Sequence, residues 1–357
     1  MKKFCVIFFV LALALSNTAI AQLSLDAAKG KCTELGFKAG TEQYGKCVLQ
    51  LSKPEEVKPV AVPKQVQQPR EADFGELTGT LRRIKESKVV KLGIREASVP
   101  LSYVTESGQP MGYSVDICLL VVDAIRFATK SSDLRIEFVR VTSSTRLQLV
   151  TGGVVDIYCG SMTNSIERQK VVSFSPNVFY TGTRIIFKKS SGIKSYDDLK
   201  GKTVVFTTGT ISERAMKAHS DGKNLGINFI PSKDHAESFL MVETGRAVAF
   251  PLDDIILAVL RASTGRPSDY DIIGDYLHDD PYALMIRKDD PQFKSIVDNA
   301  VKNVFQSGQI YNIYKKWFQS PIPSRGINLS LPMSEKFMQN INFPTDQGVG
   351  SCGKINC

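Results

Sequence analysis

The chain opens on an apolar run, FCVIFFVLALAL, set behind Lys2 and Lys3. Two short amphipathic stretches follow. Leu25, Ala28, Cys32 and Leu35 fall on one helical face, as do Tyr44, Cys47, Val48 and Leu51. Gly36 is placed to stop the first helix and Thr41 to cap the second, so residues 22–53 read as a helical hairpin. Residues 54–73 carry Pro54, Pro59, Pro63 and Pro69 with little bulk to bury, which predicts an extended, semi-rigid linker.

From residue 74 the periodicity alternates between two and 3.6. LRRIKES predicts a helix and VVKLGI a strand; YSVDICLLVVDAIRFA predicts a long apolar helix and LRIEFVRV a second strand. RLQLVTGG ends a helix on glycine before VVDIYC, a third strand. The alternation restarts with RIIFK, TVVF, SERAMKAHS, NFIPS, HAESFLMVETG, AVAFPLDD and DIILAVLRAST. A strand over 282–288 precedes two closing helices around FKSIVDNAVKNVFQSG and IYNIYKKWFQ. Strands alternating with helices imply α/β architecture with mostly parallel sheets, here in two similar halves. Ligands of open α/β sheets bind at the carboxyl ends of the strands.

The opening run is too short to favour a membrane span, and Ala19-Ile20-Ala21 supplies a small-x-small cleavage pattern, so residues 1–21 read as a secretory signal peptide. Its removal takes two lysines from a formal charge of +9, leaving +7. That charge is spread along the chain without a basic face or interleaved aromatics, which argues against nucleic acid and for attraction of small anions. Six of the seven cysteines survive cleavage into an oxidising compartment. Cys32 and Cys47 are expected to staple the hairpin, and Cys352 and Cys357 are candidates to pair across the tail, residues 350–357. Cys118 and Cys159 lie in apolar runs and read as buried thiols.

Enzyme signatures are scarce. Ser191-Gly192-Ile193-Lys194 matches S-x-x-K but lacks its companion motifs, and His219, His235 and His278 show no metal spacing. What remains is a set of polar residues at strand ends. Arg95 follows VVKLGI; Ser143 and Arg146 follow LRIEFVRV; Ser161, Thr163 and Arg168 follow VVDIYC. Thr210 and Ile211 follow TVVF, His235 follows NFI, and Asp253 follows AVAFPL. Three arginines, a histidine, an aspartate and several hydroxyls at the cleft-facing end of the sheets are more than helix caps and surface groups account for.

These residues carry a resemblance. GIREASVPLSY, VTSSTR, CGSMTNSIERQ, TTGTISE, SKDHAESF, ETGRAVAF and KWFQSPIP, in order over about residues 74–349, resemble the family 3 periplasmic solute-binding proteins of ATP-binding-cassette importers, in particular those for glutamate and aspartate. The resemblance implies a type 2 periplasmic binding fold: one lobe of residues 74–181 plus 282–349, another of 182–281, and a hinge near Thr181–Arg184 and Asp279–Leu284. It implies a periplasmic, monomeric protein without cofactor that docks on an inner-membrane permease complex. It further implies that Arg168 forks onto the ligand α-carboxylate, that Ser161 and Thr163 bind its backbone end, and that Asp253 takes the α-ammonium. The helix start at Thr210–Ile211 would offer N–H groups to a carboxylate. Arg95, Arg146 and His235, beside Ser143, are then surplus to a zwitterion, which implies L-glutamate or L-aspartate. The alternatives are another polar amino acid such as glutamine, a dehydratase-type enzyme using Glu96 or His235 as general acid, or a sensing module.

Overall fold

A computed structural model describes residues 25–34, 38, 39, 41, 43, 44, 47, 48, 75–350 and 353. The expected signal peptide, the proline-rich linker and Cys352–Cys357 lie outside the described residues. Two compact units divide the chain, Met1–Glu71 and Ala72–Cys357.

In the first unit Leu25–Glu34 is helical and Cys32 is disulfide-bonded to Cys47, as the hairpin reading anticipates. Cys32 and Val48 are buried against each other, a core too small to hold without the bridge. The Thr41 hydroxyl accepts the Tyr44 N–H at 3.2 Å, the bond of an N-cap.

The second unit is built on two sheets. Its strands are β1 (Val89–Ile94), β2 (Ala97–Ser98), β3 (Ser102–Val104), β4 (Pro110–Met111), β5 (Arg135–Arg140), β6 (Ile157–Tyr158), β7 (Val172–Phe174), β8 (Phe179–Lys188), β9 (Thr203–Thr207), β10 (Asn228–Ser232), β11 (Ala249–Asp253), β12 (Tyr270–Ile273), β13 (Asp279–Tyr282) and β14 (Met285–Arg287). The first sheet runs β5-β1-β6-β14-β7 and the second β10-β9-β11-β8-β12, with β13 on β8; β2, β3 and β4 form a small sheet of their own. Both main sheets are mixed. β1 pairs parallel with β5 and β6, and β9 with β10 and β11, whereas β14 and β8 return antiparallel to their neighbours. The α/β two-lobed class therefore holds, with the antiparallel share coming from β14 in the first sheet and from the pairings of β8 in the second, and two strands carry the chain between the sheets.

Those crossings are β8 and β13, which lie side by side, Asp279 opposite Gly182 and Tyr282 opposite Phe179. The expected 282–288 strand is broken: β13 ends at Tyr282, and β14 begins three residues later in the other sheet. Helices Tyr113–Thr129 and Pro291–Gln306 pack together on the first sheet, and helices 211–223, 235–243 and 254–262 flank the second. Phe179, at the start of β8, stacks on Phe318 at 4.8 Å and so ties the crossing to the closing helix Gln309–Phe318.

Two expectations need correction. Cys118 and Cys159 are not free thiols but a disulfide, because helix 113–129 crosses the end of β6 and brings the two Cα atoms to 6.1 Å. VVDIYC forms strand only at Ile157–Tyr158, since Gly152 and Gly153 place a turn ahead of it. Pro251 is accommodated inside the sheet: β11 lies between β9 and β8, but its pairing with β9 is at Ala249, so the proline falls where that side of the ladder has already ended. Among the described residues no helix is long and apolar enough to cross a membrane.

Candidate functional site

The carboxyl ends of β1, β6, β9 and β11 converge, and all ten residues singled out above are buried there. Arg95, one residue past β1, donates from Nη1 to Ser143 Oγ at 2.7 Å. Arg146 opens the helix Arg146–Thr151 and donates from Nη1 to the Ser161 carbonyl at 2.5 Å and to the Tyr158 hydroxyl at 3.4 Å. Arg168 lies on the short helix Ile166–Gln169, capped by Ser165, and donates from Nη1 to the Thr163 carbonyl at 2.9 Å. From the opposite sheet, the carbonyl of Gly209 accepts from both Arg146 and Arg168, each at 3.4 Å.

Every acceptor of these three guanidiniums is a neutral hydroxyl or carbonyl. Glu96, next to Arg95 in the chain, pairs instead with Arg140 at 3.0 Å and is 60% exposed. Asp253 and Asp280 pull on Arg168 from nearby, but burial together with Arg146 and Arg214 outweighs them and draws its pKa down to about 9. Burial and the Arg146 charge likewise lower Arg95, against the pull of Tyr158. Unpaired charge of this kind costs several kcal/mol, which an incoming anion offsets.

His235 starts the helix His235–Glu243 behind the cap Asp234, and its Nδ1 shares a hydrogen bond of 3.0 Å with Thr207 Oγ1. Burial, then Arg95 and Arg146, hold its pKa well below the usual value. The imidazole is therefore neutral at pH 7. The surplus positive charge is carried by the arginines alone, and His235 contributes hydrogen bonding.

The adjacent aspartates Asp253 and Asp254 have different surroundings. Asp254 Oδ1 accepts from Thr181 at 2.5 Å and Oδ2 from Tyr276 at 2.6 Å, both on or beside the crossing strands. Asp253 makes no cap bond, and its Oδ1 is buried without a hydrogen-bond partner, as is Arg146 Nε. Burial and the neighbouring Asp280 raise the Asp253 carboxyl well above the usual range, a proton that a cation would displace.

Thr210 caps helix Ile211–Lys223, accepting the Glu213 N–H at 3.1 Å, while Glu213 Oε2 accepts the Gly209 N–H at 2.9 Å. With Glu213 N–H taken by the cap, the N–H groups left to a ligand at this helix start are those of Thr210, Ile211 and Ser212. Ser161 Oγ reaches Ser98 Oγ at 3.4 Å, and Thr163 Oγ1 donates to Asp280 Oδ1 at 2.8 Å. A cleft of about 660 Å³ lined by Ser143, Ser144, Arg168, Gly209, Thr210 and Glu213 opens beside the cluster.

Sequence reasoning missed Asp280, Gly209 and Tyr158. Asp280 was hidden in a hinge segment read only as backbone, and its carboxylate organises Thr163 and Thr183 together. Gly209, at φ +84°, lies where a Cβ would sit 2.8 Å from Ser144 Cα, so the two sheets approach through it. The turn T-T-G-T carried that signal. Tyr158 looked like core.

Residues 90–320 match the bacterial extracellular solute-binding proteins, family 3. The chain belongs to this family. It is 49% identical over 273 residues to the L-glutamate/L-aspartate-binding protein of Pseudomonas aeruginosa, covering 76% of this chain and 90% of that protein. It is 37% identical over 270 residues to the glutamate/aspartate import solute-binding protein of Escherichia coli, covering 76% and 89%. Among solved structures, a variant of ArgBP from T. maritima superposes with TM-score 0.60 at 25% identity, covering 67% of this chain and 99% of that one. An ancestral amino acid-binding protein, a precursor of cyclohexadienyl dehydratase, gives TM-score 0.58 at 27% identity, covering 67% and 99%. In this solute-binding protein every candidate site residue falls inside the matched region, and the disulfide-stapled hairpin falls outside it.

Proposed function

We propose that this protein captures an acidic amino acid, L-glutamate or L-aspartate, between the two sheets and hands it to an ATP-binding-cassette permease from the periplasm. The observation that carries the reading is the buried trio Arg95, Arg146 and Arg168, bonded only to neutral oxygens. A zwitterion supplies one carboxylate, for which Arg168 is the natural fork. Its ammonium goes to Asp253, whose Oδ1 is buried and unpartnered, and to Thr163, whose proton is already given to Asp280 and whose oxygen is left to accept. The remaining two guanidiniums call for a second anion, the side-chain carboxylate, with Ser143 and the neutral His235 beside it.

The lobes are residues 74–181 with 282–349 and residues 182–281, and β8 and β13 form the hinge. Paired strands of this kind bend together rather than slide, which suits a clamp. The chemistry is reversible binding. A dehydratase needs a general acid over the ligand; Glu96 points to solvent, and His235 is held neutral by burial and then by Arg95 and Arg146. Calorimetric titration of ligand-stripped protein with the common amino acids tests the reading. Saturable binding of glutamate or aspartate, with glutamine at least tenfold weaker, is the expected result. Preference for a neutral or basic amino acid would overturn it.

A further inference from the structure

Resting on that reading, we propose that Tyr158 is the positioning residue that makes the second anion subsite selective for a carboxylate over an amide, by holding Arg95 and Arg146 in a fixed fork with its phenol oxygen between them. Tyr158 is fully buried at the end of β6, anchored by pairing to Gly93 of β1 and Met285 of β14. Its hydroxyl accepts from Arg146 Nη1 at 3.4 Å, and the Arg146 guanidinium carbon lies 5.6 Å from the centre of the ring. On the other side, a Cβ at Gly160 would meet the phenol oxygen at 2.6 Å and Arg95 Cγ at 3.1 Å. The phenol and the Arg95 stem thus converge over one glycine, which leaves them the room to do so.

The physical problem is two adjacent cations. Arg95 and Arg146 repel, and an aspartate between them would neutralise the charge that must attract the ligand. A phenol supplies a lone-pair acceptor and a polarisable ring without a full negative charge. Burial raises the phenol pKa, but the two guanidiniums more than offset this and lower it, the sign of an oxygen seated in their field. With the fork set, a carboxylate meets two aimed donors, whereas an amide of the same size turns its NH2 group toward one of them and is rejected. The ring also packs beside Val150, Val155 and Met285, so a purely apolar role is the competing explanation.

Tyr158→Phe keeps the ring and removes only the hydroxyl. In calorimetry on the full chain, glutamate affinity should fall at least tenfold, the loss of one hydrogen bond to a charged group, while glutamine changes less than threefold. Equal losses for both ligands, or none, would overturn the proposal. Gly160→Ala, which presses on the phenol and on Arg95, provides an independent variant. It should lower the glutamate-to-glutamine ratio in the same sense, and an unchanged ratio in folded protein would again count against Tyr158. Wild-type protein run alongside separates the two readings: failure of wild type to bind any acidic amino acid sinks the ligand assignment and this proposal together. Acidic binding with undiminished discrimination in both variants sinks only the role of Tyr158.

Discussion

Arg168 and Arg146 share an acceptor, the Gly209 carbonyl, yet their expected roles differ and so do the consequences of removing them. Arg168→Ala should weaken every amino-acid ligand by about thirtyfold or more, since truncating one partner of a buried charge pair costs roughly 2–5 kcal/mol. Arg146→Ala should cost acidic ligands that much and glutamine far less. Titration calorimetry with glutamate and glutamine reads both effects, and parallel losses in the two variants would show that the subsites are not separate. His235 gives a pH signature. Its native pKa lies below the unfolded value near 6.5, so below that pH the unfolded chain takes up a proton that the native imidazole resists. Its contribution is therefore fully present above about pH 6.5 and is lost as pH falls toward the native value, at up to about 1.4 kcal/mol per pH unit. Thermal melts of wild type and His235→Gln between pH 7 and pH 5 should show the shallower slope in the variant.

Among the elements, the turn ahead of helix 211–223 brings Gly209 close against Ser143 and Ser144 of the other sheet's loop. Gly209→Ala puts a methyl within 2.8 Å of Ser144 Cα and 2.9 Å of the Ser143 carbonyl, on a left-handed residue. The strain in the free protein should be about 1–2 kcal/mol. The effect on glutamate binding should be larger, at least tenfold, because the methyl stands in the way of closure. Calorimetry with a thermal melt distinguishes the two; a loss of stability without loss of affinity would mean that the turn does not limit closure. The elements themselves were largely readable in advance. VVKLGI, TVVF and AVAFPL announced strands by short runs rich in apolar and β-branched residues, and glycine and capping residues marked helix ends. Strand β6 was overestimated because apolar VVD reads like strand, whereas Gly152-Gly153 turns the chain there.

At the scale of the molecule, three guanidiniums bonded only to neutral oxygens make the closed arrangement costly without an anion and favourable with one. Small-angle scattering should therefore show a smaller radius of gyration with glutamate than without it. Ligand at about a hundred times its dissociation constant should add about 2.7 kcal/mol of stability, read as a rise in melting temperature. An unchanged radius on saturation would remove the clamp from the mechanism. By itself the sequence determined the alternation of strands and helices, the Cys32–Cys47 pairing, and the polar residues at strand ends, because hydrophobic period, turn chemistry and residue type are local properties. Tertiary structure alone decided that Cys118 meets Cys159, that Asp254 serves the crossing strands while Asp253 Oδ1 is buried without a hydrogen-bond partner, and that a tyrosine stands beside the paired arginines. Each of those depends on distance between segments far apart in the chain, which no local pattern encodes.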